Sequence, residues 1–477
     1  MRWILRVASL AGLWAGPALA QPLTATEIAK VDAVVAEAMA RSPTPSLSIA
    51  VIRDGRPAFA KAYGFRTLDP PVPADPEARY DIGSVSKQFT AAVALRLADR
   101  GALALDDKVS DHLPGLSGGE TITLRQALNH TAGYNSYFML DFLPAESERP
   151  IAPIDIARRW GRAPLDFAPG TRWDYSNTGY AVAGLVIEQA SGRSLADLLA
   201  GEIFDPLAMA GAAPLDRRPL GPGDARGYTR IAVQPPRPAP QAGKGWTFGA
   251  GGLAMTASDL ARWDMAVLDG RLLSAQAWSA QRRTARLTDG SDTGYGLGVY
   301  VDTARGRRRL RHDGAAYGFT AENRVYPDDG TAIVVLSNAD FGHAAGEVAD
   351  ALERMLLPMR ADAPLPETSR PPSAATIADP EAMGRFRALL GQLSDGDPDR
   401  GRLSPDLSTY LSGEVLDDYR VSLKSLGPPV TVEQLRSDEI GGLRASLYRL
   451  SWREATMIGV LRIAADGRVA SFALFEP

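Results

Sequence analysis

The chain has 477 residues, 45% hydrophobic and 23% charged, with a formal net charge of −4. This is ordinary globular composition with room for more than one core, and it lacks the basic surplus with interleaved aromatics that nucleic-acid binding requires. There are no cysteines, which excludes disulfides, thiol nucleophiles and a lipid-modified N-terminal cysteine, and the four histidines show no HxxxH or HExxH spacing, so no zinc site is expected.

Residues 1–20, MRWILRVASLAGLWAGPALA, have a charged start at Arg2 and Arg6, a short apolar stretch over 7–16 and a small-residue end at Ala18-Leu19-Ala20. This is a signal-peptide pattern whose apolar run is too short to span a bilayer. It predicts cleavage before Gln21 and export to the periplasm or the extracellular space. No later segment approaches a membrane-spanning length, so no integral membrane segment is expected once the signal is removed.

SLSIAVIRDGRPAFAKAYGF reads as two strands around an Asp54-Gly55 turn. DIGSVSKQFTAAVALRLADRG, residues 81–101, reads as a long helix. Phe89, Val93 and Leu97 form one apolar stripe; Ala91, Ala92, Ala94, Leu95 and Ala98 make most other faces apolar too, so the helix is expected to be buried, with Gly101 ending it. Helical stretches follow at 124–129 and 178–190, and residues 219–246, rich in Pro and Gly, read as a long surface loop. From YGLGVYVD the chain returns to strands: RRRLRHDG, GFTAENRVYP and TAIVVLSNAD, separated by turn residues that include Asp329-Gly330. The basic run RGRRRLRHDG from Arg305 reads as a hairpin turn and an exposed strand face. A helix over 344–357 closes this part. Two strands, a helical insertion, three strands and a helix predict an α/β (α+β) sandwich, with one antiparallel sheet assembled from both ends of the segment and helices packed on it.

Residues 359–380 have Pro/Ala-rich linker composition. Beyond them Met383, Phe386, Leu390 and Leu393 recur at helical spacing, and SLYRLSW and GVLRIAADGRVASFALF read as strands, the last two joined at Asp466-Gly467. The predicted organisation is a signal peptide over 1–20, a first domain over 21–358, a linker over 359–380 and a small α+β accessory domain over 381–477 with a core of its own.

Lysine is scarce: six against 46 arginines (52 − 6), and only Lys87 has a serine, Ser84, three residues before it. Residues three apart in a helix share a face one turn apart, so hydroxyl and amine can touch. Burial disfavours the Lys87 ammonium, and the positive end of the helix dipole disfavours it further. Both push its pKa down toward a neutral amine able to take the serine proton. The same helix end offers backbone N–H groups to a developing oxyanion. A capping serine beside a surface lysine is the plain alternative. Two further stretches favour the chemical one. Tyr175-Ser176-Asn177 precedes a helix and is the only YxN in the chain, and His312-Asp313-Gly314 lies on a predicted strand near the end of the sheet.

SxxK, YxN and HxG in this order resemble the serine hydrolases related to class C β-lactamases and penicillin-binding proteins, among them esterases, D-aminopeptidases and DD-peptidases. LRQALNHTAGY, GAGGLAMTASDLARW and YGLGV are similar to that family as well, and the resemblance covers roughly residues 25–357. It implies that Ser84 attacks an acyl carbonyl and that Lys87 and Tyr175 share its proton. Tyr175, its pKa lowered by the lysine, would activate the deacylating water. Asn177 would hydrogen-bond the acyl amide or orient Lys87. The oxyanion would sit between the N–H groups of Ser84 and Ala315. Gly314 would keep a side chain from crowding the substrate. The implied substrate is a small ester, amide or D-amino-acid-containing peptide; no cofactor is implied, and the oligomeric state is not readable. One position departs from the pattern: β-lactamases and many peptidases carry Lys where this chain has His312. An imidazole titrating in its ordinary range over pH 5–8 is mostly neutral at pH 7, which moves the expectation from β-lactam hydrolysis toward esterase or aminopeptidase-like activity.

Two other stretches imitate sites. Gly115–Gly119 matches the GxSxG elbow of α/β-hydrolases, but DHLP precedes it where a strand is needed, so a turn is expected around Ser117. GAGGLA at Gly249 nearly matches a dinucleotide fingerprint without a βαβ unit, and a turn before a helix capped near Thr256 or Ser258 suffices. His112 and His130 are expected to be structural or solvent-exposed, and Tyr134, Tyr137, Phe138, Trp246 and Tyr317 are pocket candidates that ordinary core packing explains equally well. The rival functions are a β-lactamase or DD-carboxypeptidase acting on cell-wall-like substrates, a non-catalytic binding module of the same fold, and an α/β-hydrolase using Ser117 with a downstream histidine.

Overall fold

Asp54 and Gly55 both adopt positive φ, 52° and 70°, the conformation of a tight two-residue hairpin turn. They join β1 (Ser46–Arg53) to β2 (Arg56–Leu68), and the short β3 (Pro71–Pro73) pairs with β2. The computed structural model describes residues 22–137, 140–360, 379–440 and 442–476. The predicted leader over 1–20, Phe138 and most of the predicted linker lie outside them.

After a helical insertion the chain supplies β4 (Tyr300–Ala304), β5 (Arg307–Ala316), β6 (Phe319–Tyr326) and β7 (Thr331–Ser337). The seven strands form one antiparallel sheet in the order β3-β2-β1-β7-β6-β5-β4. The two ends of the segment therefore meet at its centre, with Leu47 opposite Ser337 and Val51 opposite Ile333. The strand expected over YGLGVYVD begins only at Tyr300, because Gly294 and Gly298 take positive φ and turn the chain before it.

The sheet is covered on both faces, which is why β1 and β7 are apolar runs and not alternating ones. Successive side chains of a strand point to opposite faces. Leu47, Ile49, Val51, Ile333 and Val335 pack on α1 (Ala25–Arg41) and on the closing helix Ala344–Leu356. Ala50, Ile52, Ala332, Val334 and Leu336 face the insertion, and each large aliphatic side chain so buried contributes ~1.5–3 kcal/mol. The insertion includes α2 (Lys87–Asp99), α3 (Leu124–Leu128), α4 (Asn177–Ser191) and α5 (Ala257–Asp269); the closing helix is α6. Ten of the 13 residues of α2 are buried, so this helix is core on nearly every side. Thr256 caps α5 in a capping box with Asp259.

The C-terminal part has α7 (Pro380–Asp395), α8 (Gly413–Leu426) and a four-stranded antiparallel sheet, β8 (Thr431–Ile440), β9 (Leu443–Ser451), β10 (Thr456–Ile463) and β11 (Val469–Phe475), paired in chain order. Its core does not close on itself as linker composition suggested. Phe142, Ile231 and Ala232 of the first domain join Phe386, Leu393 and Phe472 in one cluster, and Phe142 stacks on Tyr410 with centroids 4.3 Å apart. Arg237–Asp418 at 2.7 Å and Arg462–Asp141 at 2.9 Å reinforce the seam. Residues 219–246 are mostly loop, as their Pro and Gly content predicts, but Ile231 and Ala232 are buried beneath the small domain.

Candidate active site

Ser84 belongs to a 3₁₀ turn, Gly83–Ser86, that runs straight into α2 at Lys87. Residues three apart eclipse in a 3₁₀ turn, which aligns the pair more closely than the α-helix expected from the sequence. Gly83 takes φ +51° and donates its N–H to Asp81 Oδ1 at 2.8 Å. Burial raises the Asp81 pKa to about 6, and that hydrogen bond offsets part of the effect. Within residues 81–90 only Ser84 is not buried.

Lys87 is fully buried. Its Nζ lies 3.1 Å from Ser84 Oγ, 2.8 Å from Asn177 Oδ1 and 2.6 Å from the carbonyl oxygen of Ala250. Burial pushes its pKa well below the ordinary lysine value, and the carboxylate of Asp313 opposes this only in part. A neutral amine has two N–H bonds and one lone pair. Asn177 Oδ1 and Ala250 O can only accept, so they take the two hydrogens and the lone pair is left facing the serine hydroxyl. The ring of Tyr175 lies with its centroid 4.8 Å from the same nitrogen.

Tyr175 and Asn177 flank Ser176, whose side chain caps α4 by accepting the N–H of Gly179 at 3.1 Å. Asn177 acts on the lysine, as one of its two expected roles has it. Its N–H, at 3.2 Å, and its Nδ2, at 3.4 Å, donate to Ser136 Oγ. The expected lowering of the Tyr175 pKa is not found: burial raises it well above the ordinary phenol, and the Ser84 hydroxyl offsets only part of this. The Tyr175 hydroxyl is buried without a well-formed hydrogen bond. The phenol is therefore held as a proton donor, while burial favours the lysine as the acceptor.

His312, Gly314 and Ala315 lie on β5, which passes beneath the serine turn. His312 is 2% exposed and does not offer its ring to a substrate. Its Nδ1 lies 2.6 Å from the carbonyl oxygen of Asp313, which only accepts, so the neutral ring carries its proton there; Nε2 then accepts from the Tyr295 hydroxyl at 3.0 Å. Burial first, then the positive field of Lys87, lowers its pKa to about 4, below the pH 5–8 range expected from sequence. Gly314 has a reason beyond the expected one. A Cβ there would stand 2.0 Å from the carbonyl oxygen of Ile82, so the glycine lets strand and serine turn touch. A Cβ on Gly83 would likewise stand 2.8 Å from the Ala315 nitrogen, which brings the two expected oxyanion-binding segments together.

Four contributors were not singled out from sequence: Ser136, the Ala250 carbonyl, Tyr295 and His130. His130 is buried with its ring centroid 4.2 Å from that of Tyr175. For three of the four the signals lay in stretches already quoted; Ser136 lies just beyond one of them. NHTAGY holds His130, GAGGLA supplies Ala250, and YGLGV supplies Tyr295 together with Gly298, where a Cβ would stand 2.6 Å from the Lys87 carbonyl oxygen. Ser117 lies in a turn and donates to the Arg162 carbonyl at 2.9 Å, with no strand before it. His112 is partly exposed beside Asp107. Tyr137 and Trp246 form an aromatic group with Trp160, and Tyr317 reaches the Phe142 carbonyl at 3.3 Å. Tyr134 is buried. Among the described residues no group of three or more His, Asp or Glu is placed to hold a metal ion.

Residues 31–357 match the family model described as Beta-lactamase. A putative penicillin-binding protein of Bacillus subtilis (strain 168) is 28% identical over 307 residues, 64% of this chain and 74% of its own length. The D-aminopeptidase of Brucella canis is 29% identical over 314 residues, which cover 65% of this chain but only 59% of that protein. Among solved structures, a D-stereospecific amidohydrolase from Streptomyces sp. is similar with 27% identity and a TM-score of 0.59, covering 68% of this chain and 97% of that one. An octameric penicillin-binding protein homologue from Pyrococcus abyssi has 22% identity and a TM-score of 0.61 over 94% of this chain and 96% of its own, so the likeness in fold extends into the small C-terminal domain.

Proposed function

Because this chain belongs to the beta-lactamase family, matched over residues 31–357, we propose that it is an exported serine hydrolase that forms an acyl-enzyme on Ser84 and acts on small amides or esters, above all those of D-amino acids. The observation that carries the reading is the placement of Lys87 Nζ, 3.1 Å from Ser84 Oγ with its other two directions taken by acceptors. Ser84 Oγ bonds to the acyl carbon while its proton passes to Nζ. The oxyanion is held by the N–H groups of Ser84 and Ala315. The bond to the leaving amine or alcohol breaks as that group takes a proton from the Lys87–Tyr175 pair. Water then attacks the ester, giving its proton to the pair, and the carboxylic acid leaves with Ser84 restored.

The choice of substrate rests on charge. His312 brings no cation, and Asp313, 61% exposed at its side chain and 3.6 Å from Arg311, sets an anion beside it. A carboxylate-bearing β-lactam meets no lysine ammonium at this position, whereas a neutral ester or a substrate with a free ammonium loses nothing by the exchange; the Arg311 guanidinium is paired with Asp302 and Asp313. The D-aminopeptidases and the D-stereospecific amidohydrolase among its relatives support the same class. Export to the periplasm or beyond rests on the pattern of residues 1–20. The test is labelling with a fluorophosphonate and peptide mapping, together with turnover of p-nitrophenyl acetate, D- and L-alanine p-nitroanilide and a chromogenic cephalosporin. Label on Ser84, loss of at least ~10³-fold in Ser84→Ala and preference for the D-anilide are expected. Label on Ser117, or none, overturns the reading.

A further inference from the structure

For Tyr175 to exchange protons with Ser84 and Lys87 its hydroxyl must be held in place, and it has no well-formed hydrogen bond of its own. What holds it lies one residue to either side. His130 follows α3 with φ +64°, a left-handed conformation that His adopts more readily than most residues, though still at a cost. This twist directs both its carbonyl and its ring at the segment that carries Tyr175. The carbonyl accepts the N–H of Asp174 at 3.0 Å, and Nδ1 accepts the N–H of Ser176 at 3.1 Å. Between these two bonds the imidazole lies against the phenol ring, centroids 4.2 Å apart and planes 34° apart.

Packing alone does not account for a histidine here. With Nδ1 accepting, the ring proton sits on Nε2, which is buried without a partner, an unfavourable state for a polar group. An apolar side chain would fill the space without that cost, but it would leave the Ser176 N–H without its acceptor. Burial and the neighbouring Lys87 hold the imidazole pKa well below its ordinary value, so the ring adds no charge beside the lysine.

We propose that His130 is a positioning residue for acyl transfer: it clamps the backbone on both sides of Tyr175 and backs its ring, and so fixes the phenol oxygen relative to Ser84 and Lys87. The inference rests on Tyr175 as a proton carrier. His130→Gly relieves the left-handed backbone and removes ring and acceptor together. His130→Asn keeps the tolerance for that backbone and a side-chain oxygen, but no stack. Both are measured on p-nitrophenyl acetate across pH 5–9, with thermal melts, beside Ser84→Ala and Tyr175→Phe. His130→Gly is expected to lose about 10²-fold in kcat with KM nearly unchanged, and His130→Asn about tenfold. In His130→Gly the acid limb of kcat/KM moves to higher pH, because water in place of the ring rehydrates Lys87 and raises its pKa. A folded variant with the parent's kcat and acid limb, or a loss confined to KM with the limb unmoved, overturns the clamp. If His130→Gly fails to fold, His130→Asn decides by the same criteria. An active Ser84→Ala or Tyr175→Phe overturns the underlying mechanism along with the clamp. Inactive controls beside an unaffected His130 variant overturn the clamp alone.

Discussion

Replacing Gly314 by alanine adds one methyl group where the strand meets the serine turn. That Cβ would stand 2.0 Å from the Ile82 carbonyl oxygen and 3.0 Å from its carbonyl carbon. Real Cβ contacts essentially never fall below 3.0 Å, so strand and turn must separate by at least 1.0 Å (3.0 − 2.0). The obstacle is backbone and cannot swing aside. The same carbonyl accepts the N–H of Val85 at 3.2 Å, so moving it disturbs the turn that carries Ser84. A misplacement of about 1 Å in a catalytic array costs on the order of 10²-fold in rate. Overpacking of this kind also lowers stability by ~1–3 kcal/mol. Gly391→Ala, in the C-terminal half of α7 with nothing within 4 Å of its Cβ, is the matched control. It should gain ~0.5–1 kcal/mol from helix propensity and leave kcat alone. Steady-state hydrolysis of a p-nitrophenyl ester and thermal melts on both variants give the comparison. A Gly314→Ala enzyme with kcat within about threefold of the parent and an unchanged Tm would refute the steric argument.

Lys87→Arg should lose ~10²–10⁴-fold in kcat although it keeps a positive charge, because arginine does not give up its proton at working pH; retained activity, read on the same ester, would leave Tyr175 as the only base. The pH dependence of substrate preference follows from His312, whose lowered pKa of about 4 leaves it essentially uncharged from about pH 6 upward. The ratio of kcat/KM for ester over cephalosporin should therefore be flat from about pH 6 to 8, and a change of that ratio through the ordinary imidazole range would show that the ring titrates there after all. Removing residues 361–477 uncovers Phe142, Ile231 and Ala232 and strips Arg237 and Asp141 of partners, so the truncated protein should melt lower and self-associate. Size-exclusion and calorimetry check this, and an unchanged monomeric melt would show that the seam contributes nothing.

Much of the sheet was legible because its determinants are local. Asp54-Gly55 marks a hairpin, and IAVI and AIVVL mark strands buried on both faces. The extent of β4 was not, since YGLGVYVD reads as strand until one knows that Gly296 lets the loop lie against Gln281 and Gly298 lets it lie against Lys87. Ser84, Lys87, Tyr175 and Asn177 could be found because their types and order are distinctive. His130 could not, because its role depends on a left-handed φ and on hydrogen bonds to residues 44 and 46 positions away (174 − 130 and 176 − 130). The role of His312 failed for a related reason. Its identity is visible in HDG, but the Tyr295 hydroxyl and the Asp313 carbonyl that occupy both nitrogens are not. The docking of the small domain was hidden too, since Phe142 and Ile231 sit in stretches whose composition says only loop or helix connection.

The central pairing of β1 with β7 also bears on how the chain is made. Leu47 and its partner Ser337 are 290 positions apart (337 − 47). At ~5–20 residues per second, ribosomal synthesis leaves β1 waiting about 15–60 s for the strand that will cover its free edge. During that interval SLSIAVI is an apolar, β-branched edge paired only to β2, the kind of strand that recruits other copies. The nascent chain therefore needs to be kept apart from its neighbours until most of it exists.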